Sequence, residues 1–334
     1  MYLFIYTAQK AHGISVIIEN LVKAFAKEGI NCSHITTLDG LSKDSLIIPF
    51  AVKEAVEVYE RGYRPFAAFL CDAISLGYRN KFKFYLSIGH VFCYDFWYSI
   101  YGYLRYSRKE KFVLNMYENT IFVAQVDIDY LKQKYPRSGC NYICVPNGVP
   151  EVNNVLDHVP SDRLRLGILS PWESKQIIEE SNWFIRKYYK RYYAKHPNTV
   201  LKLAGRGSKI NQFQNQDGIE VLGEVEDLAD FFANIDVFIS SNPKGCGILN
   251  RVLDAFMYKV PVLGHEASFS GFPSSDDICY KFNNYSTFES ALEYITANRT
   301  DAWKRVENAI EYTKENNNWE RNYQKLVEIL MKTI

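Results

Sequence analysis

The sequence predicts an α/β protein of two doubly wound domains facing a cleft, and three observations lead there. Short apolar runs alternate with amphipathic helical patterns from residue 2 onward, the signature of β-α-β units with parallel strands and right-handed crossovers. The alternation starts afresh at residue 164. Before it come the punctuation Pro146-Asn147-Gly148-Val149-Pro150 and the polar stretch 151–162, which reads as a linker. At 334 residues, 47% hydrophobic and 23% charged, the chain can bury two cores of ordinary size and is not a disordered sequence.

Residues 2–6, Tyr-Leu-Phe-Ile-Tyr, form the first strand; the run is too short for a signal peptide and has no basic flank. A loop over 7–13 leads to a helix with Ile14, Ile17, Ile18, Leu21, Val22 and Phe25 at helical spacing, ended by Gly29. A strand at 32–36 follows, with further strands expected at 45–48, 67–70, 84–88, 120–124 and 142–145. In the second series a strand at 164–169 precedes a helix over 177–195. Strands at 200–204 and 219–222, a helix at 228–233 and a strand at 237–240 come next. A helix at 250–258 and a strand at 260–263 complete that core. The tail 287–332 is helical in pattern, with breaks near Asn298 and at 316–318. These elements divide the chain into 1–150, 151–315 and a closing helix at 316–334.

The net charge of +1 gives no case for nucleic acid. Residues 1–155 hold 17 Lys/Arg against 14 Asp/Glu, a mild lean toward anionic partners. Seven scattered cysteines, an odd number, suit reduced thiols and a cytoplasmic location better than a disulfide framework. Cys140 and Cys144 are the one close pair, and no matching His or Cys cluster turns them into a zinc site. No run approaches the roughly 18 apolar residues that a membrane span needs.

The densest chemistry lies in Gly245-Cys246-Gly247-Ile248-Leu249-Asn250-Arg251-Val252-Leu253-Asp254, set between the apolar runs 236–240 and 260–264. Glycines before a helix let backbone approach a ligand closely, and the N–H groups of the first turn favour anions. Arg251 offers a fixed charge for a phosphate, and Asp254 could accept hydrogen bonds from a sugar hydroxyl. The blander alternatives are an Arg251–Asp254 pair at i+3 and a plain surface carboxylate. A strand, a glycine loop and a carboxylate in this order point to a nucleotide-sugar site.

Other segments extend the pattern. Pro146-Asn147-Gly148-Val149 precedes Asn182-Trp183-Phe184 in a helix, then Leu203-Ala204-Gly205-Arg206-Gly207 at a strand end. Leu222-Gly223-Glu224-Val225 then leads through Asp227-Leu228 to Asp236-Val237-Phe238-Ile239. Over about residues 140–270 the order and spacing resemble the family-4-like glycosyltransferases of the GT-B fold, which have two Rossmann-like domains. The first half resembles the family more loosely. His12-Gly13-Ile14-Ser15 keeps one of two loop glycines, and His90 fits the position of a histidine that follows a strand and faces the acceptor. The helix around Trp319 resembles the one that crosses back to the first domain.

The resemblance implies hexosyl transfer from a nucleotide-diphosphate sugar, a UDP-sugar foremost, with retention of configuration. The implied setting is bacterial synthesis of a surface polysaccharide or glycoconjugate on a glycan or lipid-linked acceptor. It implies a donor site of His12, Gly13, Gly205, Arg206, Gly223, Val225, Cys246, Gly247, Ile248, Leu249, Asn250 and Asp254, with His90, Arg251 and Lys175 catalytic. Where many members carry two glutamates, this chain has Cys246 and Asp254. That departure keeps a rival open: an inactive GT-B-like partner subunit of another transferase. An epimerase-like or phosphorylase-like enzyme is a weaker third. Asp127-x-Asp129 sits in a helical setting and reads as a solvated helix start, so no metal site is expected. Arg251, Lys175 or Arg206 would then stabilise the leaving diphosphate. Finally, Phe92, Tyr94, Phe96, Trp97, Tyr98, Tyr101, Tyr103 and Tyr106 crowd one segment before Arg105, Arg108, Lys109 and Lys111. This reads either as peripheral contact with the inner face of the membrane or as a tyrosine-rich core helix with a solvated basic end.

Overall fold

The computed structural model describes residues 2–8, 12–149, 152, 154–245, 247–272 and 275–333, and the chain divides into two compact units. The first comprises 1–148, 244–248 and 316–334. It runs β1 (Tyr2–Tyr6), α1 (His12–Lys27), β2 (Asn31–Ile35), β3 (Leu46–Pro49), α2 (Val52–Glu60), β4 (Ala67–Cys71) and α3 (Ile74–Ser87). Then come α4 (Tyr94–Met116), β5 (Asn119–Phe122), α5 (Gln125–Lys134) and β6 (Asn141–Cys144). The strands pair in parallel in the orders β2-β1-β3 and β4-β5-β6, and an isolated parallel bridge, Phe50–Phe69, links the two pieces. Leu3, Ile5, Leu21, Phe25, Phe50 and Phe69 bury together with Tyr323, Leu326, Val327 and Leu330 of the chain's last helix. A methyl group on Gly148 would stand 2.3 Å from the Trp319 ring, so only glycine admits that helix beside the end of the first unit.

The strand expected at 84–88 is instead the last turn of α3. Phe84 and Tyr85 are buried while Leu86 and Ser87 face outward, and a short apolar run does not by itself separate helix from strand. The expectation of a solvated Asp127 is also corrected: its side chain is fully buried.

The second unit comprises 149–243 and 249–315. Its strands are β7 (Leu164–Leu169), β8 (Thr199–Ala204), β9 (Ile219–Gly223), β10 (Val237–Ser240), β11 (Val262–His265) and β12 (Tyr280–Phe282). They form one parallel sheet in the order β12-β11-β10-β7-β8-β9. The helix expected over 177–195 is α6 (Lys175–Phe184), a π turn at Ile185–Tyr189 and α7 (Lys190–Lys195). After these come α8 (Leu228–Ala233), α9 (Asn250–Met257), α10 (Tyr285–Ala297) and α11 (Arg299–Asn316); α12 (Trp319–Met331) returns to the first unit. Three-residue β12 was not legible beforehand. Phe184, Tyr188, Tyr189, Phe213 and Phe288 fill the core of this unit.

Candidate functional site

The sheet order of the second unit places a topological switch between β7 and β10. The chain leaves β7 toward β8 on one side and reaches β10 on the other, and ligands of open α/β sheets bind at the carboxyl ends of such a pair. A small cavity of about 10 Å³ opens there, lined by Ser170 after β7, Ser240 at the end of β10, Glu180 of α6 and Arg251 of α9. That is room for about one water. The Ser240 hydroxyl is buried and has no hydrogen-bond partner among the described residues. A buried unpaired hydroxyl costs about 1–3 kcal/mol unless something else satisfies it.

Arg251 comes in from the first turn of α9 and donates through Nη1 to Ser170 Oγ at 2.7 Å. Burial lowers its pKa, and the Glu180 charge counters that. Glu180 is itself buried and accepts from Gln176 Nε2 at 2.9 Å. The alternative of an Arg251–Asp254 pair is not what forms: the half-buried Arg251 guanidinium bonds Ser170 at the switch point. Asp254, one turn on, is half-buried, and burial pushes its pKa up to about 6. Among the described residues neither α6 nor α9 has a side-chain N-cap, and in α9 Val252 N donates to Leu249 O at 2.9 Å.

The turns around the cavity are laced together. Ser170 N donates to Ala204 O at 3.0 Å, Gly205 N to Gly223 O at 2.7 Å and Trp172 N to Arg206 O at 2.8 Å. Buried Trp172 adds Nε1 to Ala204 O at 2.7 Å. Gly205 has φ +125°, and a Cβ there would stand 2.0 Å from the Ser170 carbonyl oxygen. Gly205 and Gly223 thus bring three strand ends into register beside the cavity. Arg206 points to solvent near Glu224 at 3.5 Å, and Lys175 is exposed near Glu179 at 4.0 Å. Val225 is half-buried in the turn after β9.

The glycine segment is shared between the units: 244–248 belongs to the first, and Leu249 and Asn250 open α9 in the second. In the first unit Asn80 Nδ2 donates to Gly245 O, and the buried Lys244 ammonium lies 4.9 Å from the Phe84 ring centre. Gly247 sits on an acidic pair, half-buried Asp72 and buried Asp127, that follows β4 and β5; a Cβ on it would stand 2.4 Å from Asp72 Oδ1. Burial raises both the Asp72 and Asp127 pKa values. The Asp72 charge raises Asp127 further, while the backbone amides of Ala73 and Gly247 pull it down. Gly247 N–H is thus directed at a carboxylate. Cys71, just before Asp72, holds φ +62°, a strained value for a residue with a side chain. His90 is exposed after the end of α3, with its N–H on Tyr85 O at 2.9 Å, and no strand precedes it. Ile248 is half-buried. Cys246 lies outside the described residues, as do the surroundings of His12 and Gly13, the first two residues of α1.

Sequence reasoning missed Glu180 and misread Asp127 as solvated. Neither belongs to a local motif: Asp127 accepts from Ala73 N, 54 residues away, and Glu180 meets Arg251 only through the sheet order. Among the described residues, His196, Glu289 and Glu293 have metal-ligand spacing, but Glu289 is already bonded to Lys195 and Tyr285.

Comparison with known proteins bears on what this arrangement does. Residues 174–296 match the family model described as "Glycosyl transferases group 1". No curated protein matches the sequence significantly. Sucrose-phosphate synthase from Thermosynechococcus elongatus shares the fold at TM-score 0.74 and 12% identity, over 99% of this chain and 98% of that one. A trehalose-6-phosphate synthase studied for glycosyltransfer with retention matches at TM-score 0.67 and 12% identity, with 99% of each chain covered. HepE of Anabaena, in complex with UDP and glucose, matches at 0.64 and 12%, covering 99% of this chain and 100% of that one. The chain has the GT-B fold of two Rossmann-like domains that these glycosyltransferases share.

Proposed function

We propose that the enzyme transfers a hexose from a UDP-sugar to a glycan or lipid-linked acceptor, with retention and without a metal ion. The product would be a surface polysaccharide or glycoconjugate, made at the cytoplasmic face of the membrane. The observation that carries the reading is the half-buried Arg251 guanidinium at the β7/β10 switch point, beside a Ser240 hydroxyl that meets no hydrogen-bond partner among the described residues. When the bond between the anomeric carbon and the diphosphate breaks, the electron pair moves onto the phosphate oxygen. A fixed cation and helix-terminal N–H groups stabilise that charge without reorganising. Asp254, on the same helix as Arg251, would accept from a ribose hydroxyl when ionised. The neighbours in complex with UDP and glucose, and studied for retention, support the donor and the stereochemistry by analogy of fold.

A panel of nucleotide sugars, scored for hydrolysis and transfer, tests this. Turnover should be greatest with a UDP-sugar and should survive EDTA; activity that vanishes with chelator and returns with manganese would contradict the metal-free reading. Cys246, where the family resemblance calls for a glutamate, favours one rival: an inactive partner subunit. That rival predicts thermal stabilisation by UDP with no turnover on any donor.

A further inference from the structure

The first unit carries a surface whose composition points to a partner. Among the described residues, seven of the fifteen exposed large apolar side chains fall between Leu86 and Leu104. Phe92 is 97% exposed, Tyr94 75% and Trp97 60%, with Tyr101 and Leu104 also more than half exposed. On α4 they lie on one face. Positions 94, 97, 98, 101, 104, 105, 108 and 111 follow helical spacing, while Phe96, Ser99, Gly102 and Val113 bury the other side. A methyl group on Gly102 would stand 2.4 Å from the Tyr78 ring, which shows how closely α3 covers that inner side.

The outer face changes character along the helix. Its first turns are aromatic, and Arg105, Arg108 and Lys111 continue the same stripe, all exposed. From residue 74 to 116 the chain has seven Lys or Arg against two acidic residues, Asp95 and the buried Glu110, although the whole protein has a net charge of only +1. A second copy would set cation against cation across this face. No helix among the described residues is long and apolar enough to cross a membrane.

We propose that α4 docks on an anionic bilayer surface. The loop before it and its first turns, with Phe92, Tyr94, Trp97 and Tyr101, enter the headgroup–acyl boundary. Arg105, Arg108 and Lys111 meet the lipid phosphates. Trp and Tyr favour that depth because one end of each ring is apolar and the other wet, and an interfacial helix combines such a face with cations. This rests on the reading of a peripheral enzyme with a lipid-linked acceptor, and it names the surface and the lipid chemistry that the reading needs.

The test is co-sedimentation with vesicles of phosphatidylcholine holding about one-third phosphatidylglycerol, against pure phosphatidylcholine, with UDP affinity measured in parallel. The parent should bind the anionic vesicles far more tightly, and less so as salt rises. Phe92→Ser with Trp97→Ser should weaken binding about tenfold or more. Arg105→Gln, Arg108→Gln and Lys111→Gln together should weaken it about a hundredfold and remove the salt dependence. Both variants should keep the parent's UDP affinity. Independently of folding, the Trp97 emission, taken as parent minus Trp97→Phe, should shift to the blue on vesicle binding. Unchanged binding in both variants, or a parent that binds UDP but no vesicle, overturns the surface. A dimer abolished by the serine variant without any vesicle binding overturns it too and makes the face a self-association surface. A parent that binds vesicles but not UDP contradicts the donor-site reading instead.

Discussion

At the scale of single residues, the site depends on groups whose neighbours come from distant parts of the sequence. Asp254 illustrates the consequence. Its folded pKa of about 6 lies above the ordinary carboxylate value, so the folded chain holds that proton more tightly than the unfolded one. The stabilisation is full below about pH 3.9 and is lost as pH rises through 6, a cost of about 2–3 kcal/mol at neutral pH. Asp254→Asn should therefore be more stable than the parent at pH 7 and close to it at pH 4, as measured by urea unfolding. If Asp254 binds the ribose, the same variant should lose UDP affinity, so that stability and binding move in opposite directions. A variant no more stable at pH 7 than at pH 4, relative to the parent, would mean that the carboxylate is not desolvated.

The residue scale is also where the sequence was least legible. Arg251 and Asp254 stood out because they follow a glycine loop on one helix. Glu180 looked like one more polar position on an amphipathic helix, and its burial follows only from α6 lying over the switch point. Asp127 opens α5, where a carboxylate is normally solvated and favoured by the helix dipole. Here the side chain turns inward to the backbone of Ala73. Contacts of that range leave no periodic trace.

At the scale of elements, the second unit was read more closely than the first. The expected strands at 164–169 and 237–240 and the helix at 228–233 agree with β7, β10 and α8 to the residue. Their apolar runs are bounded by polar or capping residues, such as Asp227, whose side chain accepts from Ala229 N at 2.8 Å. The run 84–88, set between Lys83 and Gly89, has strand-like boundaries yet closes the helix α3. The turns at the switch point make a second prediction. Gly205→Ala places a Cβ on the Ser170 carbonyl at a backbone angle that alanine avoids, and should cost about 1–3 kcal/mol in urea melts. Gly139→Ala, at a glycine with nothing within 4 Å and φ outside the left-handed region, is the control and should change little. Equal effects at the two positions would show that the Ser170 turn is free to move.

At the scale of the molecule, two units of parallel sheet carry different chemistry. The second holds an arginine at its switch point, and the first holds the Asp72–Asp127 acidic pair after its strands and an aromatic, cationic face on α4. The central claim is that the β7/β10 switch point receives the diphosphate of a UDP-sugar. Calorimetric titration of UDP into the parent and into Arg251→Ala tests it most directly. The account predicts measurable binding by the parent and a loss of about 1.5–3 kcal/mol in the variant, the range of a charge-assisted contact. Equal UDP affinity in a folded Arg251→Ala would contradict it and place the diphosphate elsewhere.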